Sequence, residues 1–257
     1  MSGTDHARDQ GWTGPQPVFV LVHPQMGENI GAAARAMWNF GLDRMRLVAP
    51  RDGWPNERAV AVASGAAQVL DHVQVMAETP DALADMTYVF ATTARNRDLT
   101  KPVITPERAM EQTRAMLHGG QKVAFMFGPE RAGLENSDIV RANALVSVPV
   151  NPAFGSLNLG QCVLLLAYEW RRQTGAVDPE TVNFVKTGFA SALEVEKYAE
   201  HLEQKLDALG FFWPDHKADS MRLNLRNMFS RMPMTEADIR MLHGTLRALS
   251  EPRPNRD

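Results

Sequence analysis

The chain has 257 residues, 44% of them hydrophobic and 22% charged, the balance of an ordinary globular protein with a core of its own. Its formal net charge of −3 excludes a globally basic nucleic-acid binder, so any contact with a polyanion must come from local clusters. A single cysteine, Cys162, excludes an intrachain disulfide and any multi-cysteine metal site, and no long apolar run predicts a membrane-spanning helix.

In chain order, residues 1–16 lack an apolar segment and read as a disordered polar tail, not a signal peptide. With the single cysteine, this makes the cytoplasm the expected location. Residues 17–175 then alternate short apolar runs with helical patterns. Strands are predicted at Val18 to His23, Arg46 to Ala49, Tyr88 to Thr92, Lys122 to Phe127 and Leu145 to Val148. Helices are predicted at 30–40, 58–63, 80–85, 106–117 and 157–173. Buried-type strands alternating with helices predict an α/β domain, a parallel sheet with helices on both faces. Residues 176–188 read as a linker, and 189–257 as a small α-helical extension. Its helices are predicted near 190–209, 220–229 and 235–249, the last opening on a Thr235 cap with Asp238 three residues on.

Familiar signatures are absent. No G-x-G-x-x-G follows the first strand, and there is no P-loop, H-E-x-x-H or G-x-S-x-G. Three other segments stand out at strand ends, where ligands bind in parallel sheets. In Gly27 to Ala36 (GENIGAAARA), Asn29 can cap a helix and the small residues permit close packing. Alone, it reads as a capped helix with a solvated Arg35. Phe127 to Leu134 (FGPERAGL) sets two glycines around Glu130, which can hold a partner arginine or, as local grounds favour, cap the next helix. Val148 to Leu159 (VPVNPAFGSLNL) places Ser156 as an N-cap with Asn158 inside the first turn. The helix after it is apolar nearly all round, as burial on two sides requires. Cys162 within it reads as a small buried hydrophobe, not a nucleophile.

In this order and spacing the three segments resemble the signature motifs of the SpoU (TrmH-like) branch of the SPOUT RNA methyltransferases, over about Val18 to Arg172. Thr92 to Arg95 resembles the cofactor-lining loop of the TrmJ subfamily. His201 to Trp213 and Leu225 to Leu246 resemble the helical C-terminal extension of that subfamily.

The resemblance implies a C-terminal deep trefoil knot in the α/β domain and a homodimer with the active site at the subunit interface. It implies S-adenosyl-L-methionine as cofactor, held by Thr93, Ala94, Arg95, Gly128, Val148, Pro149, Ser156 and Leu157, and no metal. The substrate implied is tRNA, methylated on the ribose 2′-hydroxyl of cytidine or uridine at anticodon-loop position thirty-two. The site residues implied are Asn29, Arg35, Glu130, Ser156 and Asn158. An arginine titrates too high to act as a base, so Arg35 is expected to orient phosphate and stabilise developing alkoxide. Acidic Glu28 beside Asn29 departs from the motif.

From Lys217 to Arg256 eight Lys and Arg face four Asp and Glu. This local excess reads as a solvated face or as a phosphate-binding patch centred on Lys217, Arg222, Arg226 and Arg231.

Overall fold

The computed structural model describes residues 14–93, 100–174, 184 and 186–250. The chain forms two compact units, Met1–Val177 and Asp178–Asp257.

The first unit is built on a seven-stranded sheet: β1 Val18–Val22, β2 Met45–Val48, β3 Gln74–Met76, β4 Tyr88–Thr92, β5 Val103–Ile104, β6 Val123–Phe127 and β7 Ala144–Val146. Its order is β3-β2-β1-β6-β4-β7-β5, and every pairing is parallel. The central strands β1 (VFVLV) and β6 (VAFMF) are buried at every position. Successive side chains alternate between faces. Phe19, Leu21, Phe125 and Phe127 therefore pack on one side, with Phe90 stacked on Phe125 at 4.8 Å between ring centres. Val20, Val22, Ala124 and Met126 pack on the other.

Helices α1 Gly27–Asn39, α2 Glu57–Ala63, α3 Ala67–Asp71, α5 Pro106–His118 and α7 Leu159–Thr174 contribute buried residues to the aromatic side. The shorter α4 Thr79–Leu83 and α6 Asn136–Ile139 close the opposite face. The expected parallel sheet covered on both sides is present.

Two strands escaped the sequence reading. β3 and β5 are three and two residues long and sit at the sheet edges with exposed positions. Strands so short carry no period and little apolar burial, so periodicity has nothing to detect.

The small-residue run of α1 lets it lie close to α2. A Cβ on Gly31 would stand 2.3 Å from the Ala59 carbonyl oxygen, so only glycine permits the approach.

The second unit packs α8 Ala192–Ala208, α9 Asp215–Ser230 and α10 Glu236–Ser250 around Tyr198, Phe229, Met234, Ile239 and Leu246. Capping boxes open α8 (Ser191 with Glu194) and α10 (Thr235 with Asp238), the latter as its sequence predicts. α9 starts five residues earlier than the 220–229 pattern. Its first turn is polar and shows no apolar stripe. No helix among the described residues is long and apolar enough to cross a membrane.

Candidate active site

In a parallel sheet all carboxyl ends share one edge. Here that edge brings together the loops after β1, β6 and β7. Three of the sequence-predicted residues, Asn29, Glu130 and Asn158, meet there through a chain of hydrogen bonds, but in roles different from those expected.

Glu130, in the loop after β6, does not cap the helix that follows it. α6 is capped by Glu135 with Asp138. Glu130 turns instead to the start of α1. Its Oε2 accepts the Gln25 N–H at 2.9 Å, and its Oε1 accepts the Met26 N–H at 3.3 Å. The N-terminus of α1 has no side-chain cap of its own, so this carboxylate supplies the missing acceptor and the favourable negative charge.

Asn29 is likewise not an N-cap. It sits in the first turn of α1, its Nδ2 donating to Glu130 Oε1 at 2.7 Å. A carboxylate only accepts, so this contact fixes the amide's orientation and leaves Oδ1 facing the third loop. There Asn158 Nδ2 donates to Asn29 Oδ1 at 3.0 Å.

Asn158, not Ser156, caps the last helix of the domain. Its Oδ1 accepts the Gly160 N–H at 2.8 Å, and its N–H donates to Gln161 Oε1 at 3.3 Å. α7 therefore begins at Leu159, two residues later than predicted. The capping role moves because Asn158 satisfies one helix end and Asn29 at once. Ser156 is left exposed on the rim of a cleft.

That cleft encloses about 340 Å³ beyond β4, β6 and β7. Thr93, Gly128, Glu130, Val148, Ser156 and Leu157 line it, with Leu134, Val146, Leu159 and Cys162 deeper in. Pro149 is outside the lining. Ala94 and Arg95 lie outside the described residues. At Gly128 the loop folds back on itself: a Cβ would meet the Leu134 nitrogen at 2.2 Å. The donor set suits a nucleoside-bearing ligand, with aliphatic walls for a base and loop backbone and a carboxylate for polar groups. S-adenosylmethionine fits that description.

Burial pushes the Cys162 thiol up to about 11, outweighing the opposing hydrogen bond with Thr92. A thiol so held is no nucleophile near neutral pH.

Arg35 neither lines the cleft nor touches Glu130. It is exposed on α1, roughly 9 Å along the axis and about 120° around from Asn29 by helix geometry. Among the described residues its side chain makes no hydrogen bond or ion pair. Glu28, the acidic departure from the motif, pairs with Arg58 at 3.4 Å, which offsets its charge beside Asn29. Among the described residues, no group of three or more His, Cys, Asp and Glu side chains is placed to hold a metal ion.

In the second unit, Arg222 contacts Asp207 at 2.6 Å, Glu203 at 3.4 Å and Asp219 at 3.5 Å, and lies over the Phe212 ring. Arg226 pairs with Glu203 at 3.0 Å. Lys217 and Arg231 are exposed and make no ion pair among the described residues. Charge counting alone cannot separate these two pairs.

The chain matches two families. Residues 16–168 match the SpoU rRNA Methylase family, and residues 193–257 match the C-terminal domain of the tRNA methyltransferase TrmJ. The chain belongs to the SpoU family, in its TrmJ branch. A TrmJ relative from Pseudomonas aeruginosa, named tRNA (cytidine/uridine/adenosine-2′-O-)-methyltransferase, is 35% identical over 88% of this chain and 91% of its own length. The Escherichia coli TrmJ, named tRNA (cytidine/uridine-2′-O-)-methyltransferase, is 32% identical over 91% of this chain and 94% of its own. The crystal structure of TrmJ from Z. mobilis is 45% identical and covers 92% of this chain and all of its own, with a TM-score of 0.80.

In this TrmJ-branch chain Glu130 and Asn158 lie in the loops after β6 and β7, and Asn29 lies in the first turn of α1. The sequence reading missed two participants. Gln25 and Met26 each supply a backbone N–H, and no side-chain pattern marks a residue that acts through its main chain.

Proposed function

We propose that this chain methylates a ribose 2′-hydroxyl of tRNA, on cytidine or uridine at position thirty-two of the anticodon loop, using S-adenosylmethionine. The observation that carries the reading is the Glu130–Asn29–Asn158 chain, which holds the three motif loops in one arrangement at the cleft mouth.

The cofactor, when bound, supplies an electrophilic methyl group on a sulfonium. Thr93, Gly128, Val148 and Leu157 would hold it, with Leu134 and Leu159 excluding water from its base. Ser156 on the exposed rim is placed to meet the ribose. Glu130 and its partners keep the loops fixed, so that approach of the hydroxyl costs little reorganisation. Arg35 orients a substrate phosphate and stabilises charge on the ribose oxygen; it does not need to lose its proton.

Arg35 stands away from the cleft of its own subunit, and this favours a homodimer in which Arg35 serves the partner's cleft. The outer side of α7 supports the same reading, with Leu164, Leu165 and Tyr168 exposed at 39%, 37% and 48%. The C-terminal deep trefoil knot belongs to this proposal, as does a cytoplasmic setting among tRNA. In the second unit, Lys217 and Arg231 are the phosphate contacts, because their charges are uncommitted.

The test is transfer of labelled methyl from S-adenosylmethionine to purified tRNA, with the product mapped by ribose-methylation sequencing. Methylation at position thirty-two, abolished in Arg35→Ala, is expected. Label on a base, or on ribosomal RNA alone, overturns the assignment.

A further inference from the structure

The loop between β2 and α2 takes no part in the chain of hydrogen bonds described above, yet it is docked against the same helix end at two points. Arg51 donates its backbone N–H to the Pro24 carbonyl at 3.0 Å, one residue before the Gln25 N–H held by Glu130. Further along, Asn56 fills the space a side chain would occupy at Gly27: a Cβ there would lie 2.1 Å from Asn56 Oδ1. The loop is thus a fixed wall beside the head of α1, not a free surface segment.

The side chain this wall presents is Arg51, which is 59% exposed. Its guanidinium is held by Asp52, with Nε at 2.9 Å. It also feels the Glu130 carboxylate, which together with Asp52 holds its charge more firmly. His23, the residue before the Pro24 that Arg51 binds, is exposed after β1, in the left-handed region with φ of 47°. Its N–H is tied to the Val48 carbonyl at 2.9 Å, which keeps this uncommon conformation in place. Arg58 is already paired with Glu28. Arg51 is therefore a cation fixed by its backbone beside the site, with only an exposed neighbour to release.

We propose that Arg51, together with His23, is the subsite for a phosphodiester of the RNA next to the methylated ribose, and that Asp52 masks Arg51 until RNA docks. The inference rests on the tRNA-methylation reading. A ribose cannot enter the site without its flanking phosphates, and a guanidinium exchanging an exposed carboxylate for a phosphate keeps its paired hydrogen bonds. Arg51 is then a substrate-binding residue and takes no part in the chemistry.

The experiment measures tRNA KM at several salt concentrations, together with S-adenosylmethionine binding by calorimetry. It compares wild type, Arg51→Ala, Arg51→Lys, Asp52→Asn, the Arg51→Ala/Asp52→Asn double variant, and Arg44→Ala as a charge-matched control on the opposite edge of the sheet. Arg51→Ala is expected to raise tRNA KM about tenfold, as removal of one charge-assisted hydrogen-bonding group does, and to lower the salt slope by about 0.7–0.9. Cofactor affinity should stay unchanged, and Arg51→Lys should recover part of the binding. Asp52→Asn is expected to lower KM, an advantage that disappears in the double variant. The inference is overturned if the KM and salt slope of Arg51→Ala match those of Arg44→Ala while wild type methylates tRNA. Absence of methylation in wild type removes the underlying reading instead, and the inference with it.

Discussion

Asn29 donates to Glu130 at 2.7 Å across 101 residues of sequence, and the same amide accepts from Asn158, so one asparagine joins three loops. Its partner Glu130 also holds two backbone N–H groups at the head of α1. Replacing Glu130 by alanine leaves those donors and the Asn29 amide without an acceptor. The expected cost is about 1–3 kcal/mol of stability, read by urea denaturation, with methyl transfer reduced at least as far as in Asn29→Ala. A double Asn29→Ala/Glu130→Ala variant should cost less than the sum, because the two share one hydrogen bond.

Gly31→Ala should destabilise the first unit by about 1–3 kcal/mol, the usual range for overpacking. The added Cβ meets backbone at Ala59, which cannot rotate away as a side chain can. Differential scanning calorimetry should show a lower melting temperature. An unchanged transition would mean that α1 and α2 separate at no cost.

Cys162 should alkylate slowly. With its thiol held near 11, iodoacetamide labelling of the native protein at pH 8 should lag far behind that of the urea-unfolded chain. A thiol whose pKa is raised on folding favours the native state below the unfolded value, and that contribution fades as pH climbs toward 11. Cys162→Ala should retain methyl transfer, and this is measurable with the same labelled-methyl assay.

His201 and His243 face each other in the second unit, Nδ1 to Nδ1 at 3.1 Å, with Tyr198 edge-on to His243. Only one of the two nitrogens can carry a proton without repulsion. Burial lowers the His243 pKa, and the charges of His201 and Arg247 act in the same direction. A base with a depressed folded pKa contributes stability above its unfolded value near 6.5, lost as pH falls through the folded value. Thermal melts by circular dichroism should therefore show a lower transition below about pH 6. His243→Gln should flatten that dependence.

Arg222→Ala and Arg226→Ala should lower the thermal stability of the second unit, since both residues bind its own carboxylates. Alanine at Lys217 and Arg231 should instead leave the melt unchanged and reduce the salt dependence of tRNA binding by about 0.7–0.9 for each phosphate no longer neutralised. Filter binding across a salt series, alongside calorimetry, separates the two pairs.

The α/β class, five of the seven strands and the three motif segments are all legible in the amino-acid order. Buried strands such as VFVLV and VAFMF announce themselves through continuous apolar runs, and loop glycines and prolines mark where the chain must turn. Asn29, Glu130 and Asn158 are legible too, though with local roles: each reads as belonging to the helix nearest in sequence. The folded chain assigns them differently. Glu130 caps a helix that begins more than a hundred residues before it, Asn158 takes the cap expected of Ser156, and Asn29 binds both. The reason is physical. A cap needs only an acceptor within reach of an unpaired N–H, and reach is set by which strand ends the sheet places side by side. With β6 inserted between β1 and β4, the loop bearing Glu130 becomes the neighbour of α1, an adjacency that no local pattern encodes.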